Sequence, residues 1–270
     1  MYKLLGLDLD GTLLNSQHEI SDTNKETIRL LYAKGVKVIL LSGREPSSLK
    51  AFAEELGIKE PLSGLNGGII TDHTGEKVLY QKCIDEELAK KMVNYVCNEN
   101  VVSFIFIGNM VLFHGGEAEE LERAKDYILA DIKPIKNISK YIGENNLWGK
   151  INKILLAGEN QNLLKHREKL NDLTNGNLSM EFSLPIFLEL FNKDVSKGRA
   201  LAKIGEMLDI KGEEMVVIGD GENDNSMIEY AGVGVAMENA LSTVKNRADY
   251  ITLSNDEDGV SHVIKKFWNI

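Results

Sequence analysis

The sequence contains few of the residues that mark a disulfide-stabilised or nucleic-acid-binding protein. Only two cysteines, Cys83 and Cys97, occur in 270 residues, and no Cys-x-x-Cys pair or Cys/His cluster surrounds them. Two free thiols in a reducing compartment are the expected state, with a single disulfide as the alternative. The formal net charge is −10 and no basic stripe stands out, so tight binding to nucleic acid is not expected.

Long apolar runs are also missing. No segment approaches the roughly 20 apolar residues that a membrane helix requires, and Asp8 interrupts the N-terminal apolar run too early for a secretory signal. Internal repeats and low-complexity segments are absent, and 43% hydrophobic residues with 27% charged residues are ordinary for a globular protein. We expect a cytoplasmic protein, a monomer or homodimer, without a membrane or nucleic-acid partner.

Strand-like and helix-like patterns alternate in the two outer parts of the chain. Helices are predicted where apolar residues recur at helical spacing, and strands where short β-branched runs occur. The predicted helices are 21–34, 47–55, 197–208 and 225–231, and the predicted strands are 4–7, 36–41, 215–219, 233–237 and 250–252. Such alternation is typical of an α/β fold with a parallel sheet.

The middle of the chain is more polar and has an antiparallel character. Segments 101–107 and 110–113 read as strands joined at Gly108-Asn109, which is a hairpin signal. The other predicted elements here are helices over 85–98, 117–130 and 163–173 and a strand over 151–156. We therefore predict a catalytic core formed by residues 1–83 and 190–270, interrupted by a separate domain over residues 84–189.

The most informative segment is DLDGTLL at 8–14. It follows the predicted strand 4–7. Asp8 and Asp10 are two positions apart, and side chains at this spacing on an extended chain point to the same side. Gly11 then allows a sharp turn. Two carboxylates held together need a cation, and Mg²⁺ binds through carboxylates and phosphate oxygens. The segment suggests a nucleophilic carboxylate, a carboxyl that transfers protons, and a metal.

Three further clusters lie at predicted strand ends or helix starts, where parallel sheets bind ligands. They are Ser42-Gly43-Arg44, Lys197-Gly198 and the segment 219–224. Each alone has an ordinary interpretation as a turn, a loop or a solvated helix start. A calcium-binding EF-hand loop at Asp220 is excluded, because its sixth position is Asn225 rather than Gly. Together the clusters supply the parts that phosphoryl transfer requires.

The residue types suggest a role for each candidate. Asp8 is the predicted nucleophile, Asp10 the general acid and base, and Lys197 the cation that neutralises developing charge beside a helix start. The candidate substrate-binding residues share a position around the expected phosphate: Leu9, Gly11, Thr12, Ser42, Gly43, Arg44 and Asn223. The candidate Mg²⁺ site comprises Asp8, Asp10 through its carbonyl, Asp220, and Asp224 through the metal's water shell.

The chain resembles the haloacid dehalogenase superfamily in its Cof-like branch of capped phosphatases. The motifs that carry the resemblance are DLDGTLL at 8–14, LLSGR at 40–44, VSKGRAL at 195–201 and IGDGENDNSM at 218–227. The segments 66–68 and 231–240 also resemble that branch, although Glu238 stands where many relatives have Gly. The resemblance implies a Rossmann-like three-layer core with a parallel sheet, an inserted type IIB α/β cap over the substrate, Mg²⁺ as cofactor, and a small phosphorylated metabolite, such as a sugar phosphate, as substrate.

Alternatives to a phosphatase remain at this point. Some relatives with similar caps are phosphomutases, which return the phosphate to the substrate and need a bisphosphate. A phospho-accepting signalling domain also uses Asp, Ser or Thr, and Lys, but lacks an inserted domain and a second carboxylate like Asp10. Dehalogenation is not expected, because that reaction does not need Mg²⁺ and would leave Asp10 and the segment from Asp220 to Asp224 without a purpose. Specificity is expected in the cap, where Lys150, Lys153, His114 and Glu189 are candidates whose more ordinary interpretation is solvated surface or core edge.

Overall fold

The computed structural model describes residues 2–125, 128 and 130–270, in two compact units. One unit comprises Met1–Tyr80 and Ser196–Ile270, and the other comprises Gln81–Val195. The strands are β1 (Leu4–Leu7), β2 (Lys37–Leu40), β3 (Leu62–Gly64), β4 (Ile69–Thr71), β5 (Val78–Gln81), β6 (Ser103–Ile107), β7 (Met110–His114), β8 (Ile132–Pro134), β9 (Lys153–Ala157), β10 (Leu178–Leu184), β11 (Phe187–Asn192), β12 (Met215–Gly219), β13 (Val233–Ala236) and β14 (Tyr250–Ile251). The helices are α1 (Asp22–Ala33), α2 (Pro46–Leu56), α3 (Glu86–Asn98), α4 (Ala118–Lys125), α5 (Ile138–Glu144), α6 (Asn160–Thr174), α7 (Lys197–Leu208), α8 (Asn225–Tyr230), α9 (Ser242–Lys245) and α10 (Gly259–Trp268).

The first unit is built on a five-stranded sheet with the order β14-β13-β12-β1-β2, in which all neighbours are parallel. Strands β1 and β12 are buried along their whole length, as expected for central strands of a parallel sheet that is covered on both faces. Leu7 is in register with Ile218 of β12 and with Leu40 of β2. The carboxyl ends of these three strands therefore lie side by side.

The strand order reverses between β1 and β12. The chain moves outward from β1 to β2 through α1, and in the other direction from β12 to β13 through α8. Right-handed crossovers place these two helices on opposite faces of the sheet. Helix α10 packs beside α1, and α7 packs beside α8. The predicted α/β fold with a three-layer, Rossmann-like core is confirmed, and the reversal point is where such sheets bind ligands.

Local sequence signals determine where the site-bearing elements begin. The Ser196 hydroxyl accepts a hydrogen bond from the N–H of Arg199 and so caps α7, which places Lys197 in the first turn. Helix α7 and strand β12 have the bounds that the sequence predicts, 197–208 and 215–219. Both have clear apolar patterns and distinct end signals.

The second unit contains a six-stranded sheet with the order β10-β11-β9-β6-β7-β8. Its neighbours are antiparallel except for the parallel pair β7 and β8, and β6 and β7 form the predicted hairpin. Helices α3, α5 and α6 contribute apolar side chains to the core on one face of the sheet. The helix predicted over 117–130 is observed as α4, which ends at Lys125, and residues 126, 127 and 129 lie outside the described part of the chain.

Several features differ from the sequence prediction. The units divide after Tyr80 and after Val195, whereas a boundary at residue 190 cuts through β11. This strand stays with the second unit because it pairs with both β9 and β10. The sequence analysis also predicts no element over α10, although its buried apolar residues follow helical spacing.

Within the described residues, no helix has both the length and the apolar character that a membrane crossing requires.

Candidate active site

Asp8 and Asp10 follow β1 but lie in different surroundings. The Asp8 N–H donates to the carbonyl of Ile218 in β12, 3.0 Å away, and the Asp8 side chain is buried. The Asp10 side chain is 48% exposed. Gly11, which directly follows Asp10, adopts a φ of 78°, and a Cβ there would overlap the carboxylate of Asp220. The chain thus delivers one carboxylate to the interior and one to the rim.

Lys197 joins two of the predicted loops. Its ammonium nitrogen lies 2.5 Å from Oδ1 of Asp8 and 2.5 Å from Oδ1 of Asp224, and all three side chains are buried. Burial alone lowers the pKa of Lys197, but the carboxylates of Asp224 and Asp8 outweigh it and hold that pKa above its ordinary value. Lys197 is therefore charged, as its proposed role requires.

Asp224 organises the loop that follows β12. Its Oδ2 accepts hydrogen bonds from the N–H groups of Asp220 and Gly221, both at 2.9 Å. The Thr12 hydroxyl donates to Oδ1 of Asp220 at 2.8 Å, which links this loop to the one that follows β1. Asp224 is engaged on both oxygens, so its first role is to hold Lys197 and the loop in place.

The buried carboxylates fit a divalent metal. Asp8, Asp220 and Asp224 each offer an oxygen, and these oxygens lie within 4.8 Å of one another. Burial, and then the Asp224 charge, raise the pKa of Asp8 well above its ordinary value and that of Asp220 to about 6. The three carboxyl groups outnumber the one ammonium, and a bound cation would favour their ionised forms; hard oxygen donors of this kind suit Mg²⁺.

Arg44 holds the outer carboxylate. Its Nε donates to Oδ2 of Asp10 at 2.8 Å and its Nη2 donates to Oδ1 at 2.5 Å, which is a two-point contact of the strong kind. The N–H of Arg44 donates to the Ser42 hydroxyl at 3.2 Å. The Asp10 carboxylate is thus held by Arg44, outside the cluster of three buried carboxylates.

Two asparagines without a predicted role connect the predicted loops. The Asn66 N–H donates to the Ser42 carbonyl at 2.9 Å, and the Asn66 side chain accepts from Nδ2 of Asn223 at 3.0 Å. Asn239 donates from Nδ2 to the carbonyl of Gly11 at 2.7 Å. The run Asn66-Gly67-Gly68 is a turn signal that marks Asn66 as conformationally special, but no sequence signal indicates which loops it joins.

The candidate specificity residues lie in the second unit. Lys153 and Glu189 form an ion pair at 3.0 Å with side chains only 3% and 7% exposed, and the Lys153 nitrogen also lies 4.6 Å from the Phe106 ring centroid. For these two residues the solvated-surface interpretation is wrong. Lys150 is exposed, and His114 is half-buried at the end of β7.

Comparisons with known proteins identify the family of this chain. A model of the haloacid dehalogenase-like hydrolase family matches residues 5–264. The chain is 32% identical to phosphatase YwpJ of Bacillus subtilis, over 97% of this chain and 99% of that protein. It is 31% identical to the 5-amino-6-(5-phospho-D-ribitylamino)uracil phosphatase YwtE of the same organism, over 97% and 96%.

A solved structure shows the same fold over nearly the whole chain. The crystal structure of a haloacid dehalogenase-like hydrolase from Bacteroides thetaiotaomicron superimposes with a TM-score of 0.87 at 31% identity, covering 98% of this chain and 99% of that chain. The superfamily that the four motifs predict is confirmed. The chain belongs to the haloacid dehalogenase-like hydrolases.

Proposed function

We propose that this protein is a Mg²⁺-dependent phosphatase that hydrolyses small phosphorylated metabolites through a phosphate ester on Asp8. The observation that carries the proposal is the buried Lys197 ammonium held between Asp8 and Asp224, with Asp220 beside them. An attacking carboxylate, a fixed cation and metal-binding oxygens are the parts that phosphoryl transfer needs. Relatives at 31–32% identity that are named phosphatases support this choice within the family.

In the first step, an oxygen of Asp8 attacks the phosphorus of the substrate. The bond between phosphorus and the ester oxygen breaks, and the leaving oxygen takes a proton from the Asp10 carboxyl group. The products are the dephosphorylated alcohol and an aspartyl phosphate on Asp8. Arg44 orients Asp10 for this role by donating to both of its oxygens, and each oxygen has a second acceptor position that can carry the proton.

In the second step, Asp10 is ionised and takes a proton from water, and the water oxygen attacks the phosphorus. The bond to Asp8 breaks, which releases inorganic phosphate and restores the Asp8 carboxylate. One residue thus serves as acid and then as base, and help of this kind contributes about 10²–10⁴-fold to a rate.

The surrounding residues bind the phosphate and balance its charge. Lys197 neutralises charge on the phosphate oxygens, and the hydroxyl of Ser42 with the backbone around Leu9 donates hydrogen bonds to them. Bound through Asp8, Asp220 and the Asp10 carbonyl, with Asp224 behind them, Mg²⁺ would supply the remaining positive charge.

The substrate class and the cap are part of the same proposal. The second unit, Gln81–Val195, is assigned as the cap domain that the family resemblance implies. A sugar phosphate or a similar phosphorylated polyol is the proposed substrate, in a cytoplasmic setting. The relative YwtE is named as a phosphatase of 5-amino-6-(5-phospho-D-ribitylamino)uracil, which carries a phosphorylated ribityl chain. This supports including that compound among those tested.

The test is phosphate release from a panel of phosphorylated metabolites, with Mg²⁺ and with a chelator. The panel includes hexose and pentose phosphates and 5-amino-6-(5-phospho-D-ribitylamino)uracil. We expect release that requires Mg²⁺ and proceeds without any added bisphosphate. Transfer of phosphate within a sugar, dependent on a bisphosphate, would identify a mutase instead, and no turnover of any compound would contradict the proposal.

A further inference from the structure

Three consecutive residues adopt left-handed backbone conformations just after β3. Leu65 has a φ of 52°, Asn66 of 57° and Gly67 of 95°. Glycine tolerates such values and asparagine accepts them, but a buried leucine at positive φ is strained. Strain of this kind persists only where the surrounding structure enforces it, and it concentrates at functional sites.

The strained backbone holds the loop that follows β2. The Leu65 N–H donates to the carbonyl of Arg44 at 2.8 Å, and the Asn66 N–H donates to the carbonyl of Ser42 at 2.9 Å. These two hydrogen bonds fix both ends of the Ser42-Gly43-Arg44 segment. The left-handed turn is therefore what lets successive N–H groups face the same loop.

The next residue lies against the start of helix α7. A Cβ at Gly67 would lie 2.5 Å from the carbonyl oxygen of Ser196 and 2.9 Å from the Cβ of Ala200. Only glycine allows this approach. The segment 65–67 thus contacts the helix turn that carries Lys197 while it binds the loop that carries Ser42.

The side chain of Asn66 completes the connection. It is 5% exposed, and its Oδ1 accepts from Nδ2 of Asn223 in the loop after β12. A Cβ at Gly43 would lie 3.1 Å from the same oxygen, so the Asn66 amide also packs closely on the Ser42 loop. A single buried amide contacts two of the loops to which phosphate binding is assigned.

We infer that Asn66 is a positioning residue of the phosphate site, which orients Asn223 through its side chain and Ser42 through its backbone. The inference rests on the proposed function, because it concerns how the same site binds phosphate. A bond between two neutral amides is weak in itself. Its effect lies in keeping the Asn223 amide aimed at the phosphate before the substrate arrives, which is worth most in a preorganised site.

The experiment is a double-mutant cycle with Asn66→Gly and Asn223→Ala. Glycine keeps the left-handed backbone without strain, so Asn66→Gly removes the side chain alone and is expected to fold. The readouts are the Kd of inorganic phosphate in the presence of Mg²⁺, by calorimetry, and the KM and kcat of the best substrate. Urea unfolding of each variant separates an effect on the site from an effect on the fold.

We expect each single variant to weaken phosphate binding about tenfold and the double variant to weaken it about tenfold as well, because both remove the same oriented group. KM should rise in parallel while the urea midpoint stays close to that of the wild type. Asn175→Gly is the matched control, since Asn175 also has a positive φ, 51°, but ends helix α6 in the other unit. It should leave phosphate binding unchanged.

Two results would overturn the inference. One is phosphate binding by Asn66→Gly equal to that of the wild type. The other is losses that multiply in the double variant, which would mean that Asn66 and Asn223 act independently. A wild-type protein that binds phosphate but hydrolyses no ester would instead contradict the proposed function, while the cycle on phosphate binding would still test the role of Asn66.

Discussion

The ammonium nitrogen of Lys197 lies 2.5 Å from Oδ1 of Asp8, with side chains only 1% and 8% exposed. The same nitrogen lies 2.5 Å from Asp224. One buried cation therefore serves two buried carboxylates, and its loss would leave both without a positively charged partner. The stability of the site and its chemistry depend on the same group.

Replacing Lys197 with Met should destabilise the metal-free protein. Removing one partner of a buried ion pair typically costs about 3–5 kcal/mol, because the remaining charge is uncompensated. Urea unfolding at pH 8 measures this loss. Mg²⁺ should restore more stability in the variant than in the wild type, since a bound cation replaces part of the missing charge. The control is Lys203→Met, which removes a half-exposed partner of Glu206 and should change stability by less than about 0.5 kcal/mol. Equal urea midpoints for Lys197→Met and the wild type would contradict this account.

Gly11→Ala should abolish activity. The residue has a φ of 78°, and the added Cβ would overlap the Asp220 carboxylate, so the change displaces a proposed metal ligand as well as straining the turn. Gly35→Ala is the matched control, because Gly35 has a φ of 85° but no neighbouring atom within 4 Å of an added Cβ. That variant should lose roughly 1 kcal/mol of stability from strain and keep its kcat. The measurement is the phosphate-release rate of the two variants at a temperature where both are folded. Full activity in Gly11→Ala would refute the assignment of Asp220 as a metal ligand.

Arg44→Lys should lower kcat, although the charge is kept. Arg44 binds both oxygens of Asp10, and an ammonium cannot reproduce that planar two-point contact. We expect a loss of about tenfold, which corresponds to roughly 1.4 kcal/mol. The double variant with Asp10→Asn should show no further loss, since Arg44 acts here through Asp10. A multiplied loss in the double variant would show that Arg44 acts on the substrate independently.

The thiol of Cys83 should react slowly with iodoacetamide. Burial raises the pKa of Cys83 to about 11, so at pH 8 only about one thiol in a thousand is the reactive thiolate. Burial also raises the pKa of Cys97. Mass spectrometry of peptides after timed alkylation at pH 8 and pH 10 measures both. The rate at Cys83 should rise with pH in the folded protein and become fast at pH 8 only in urea. Rapid labelling of Cys83 in the folded protein at pH 8 would contradict a thiol whose pKa is raised by burial.

The parts of the fold that the sequence predicts best have local causes. Strand β12 is an uninterrupted apolar run, and helix α7 has a serine cap and an amphipathic pattern, so both appear with the predicted bounds. Because β1, β2 and β12 are parallel and in register, the loops that follow them lie side by side, and Lys197 reaches them from the start of α7. The candidate site residues Asp8, Lys197, Asp220 and Asp224 lie together for this reason.

Other features depend on contacts between distant segments. The sequence does not show that Arg44 binds Asp10, that Asn66 reaches Asn223, or that Lys153 pairs with Glu189 inside a sheet. Each is a pairing of residues that lie 34 or more positions apart. Charged residues on short strands are ordinarily read as exposed, and only the register of β9 against β11 shows that Lys153 and Glu189 lie close enough to neutralise each other.

The most direct test of the central claim is whether phosphate becomes attached to Asp8. The measurement is acid quenching of the wild-type protein during turnover of its best substrate with Mg²⁺, followed by mass spectrometry of the peptide that contains residues 8–14. The account predicts a peptide heavier by one phosphoryl group, which is absent in Asp8→Asn, and no detectable turnover by that variant because an amide is a poor nucleophile. Phosphate release by Asp8→Asn at the wild-type rate would contradict the account, because water would then attack the substrate without help from Asp8.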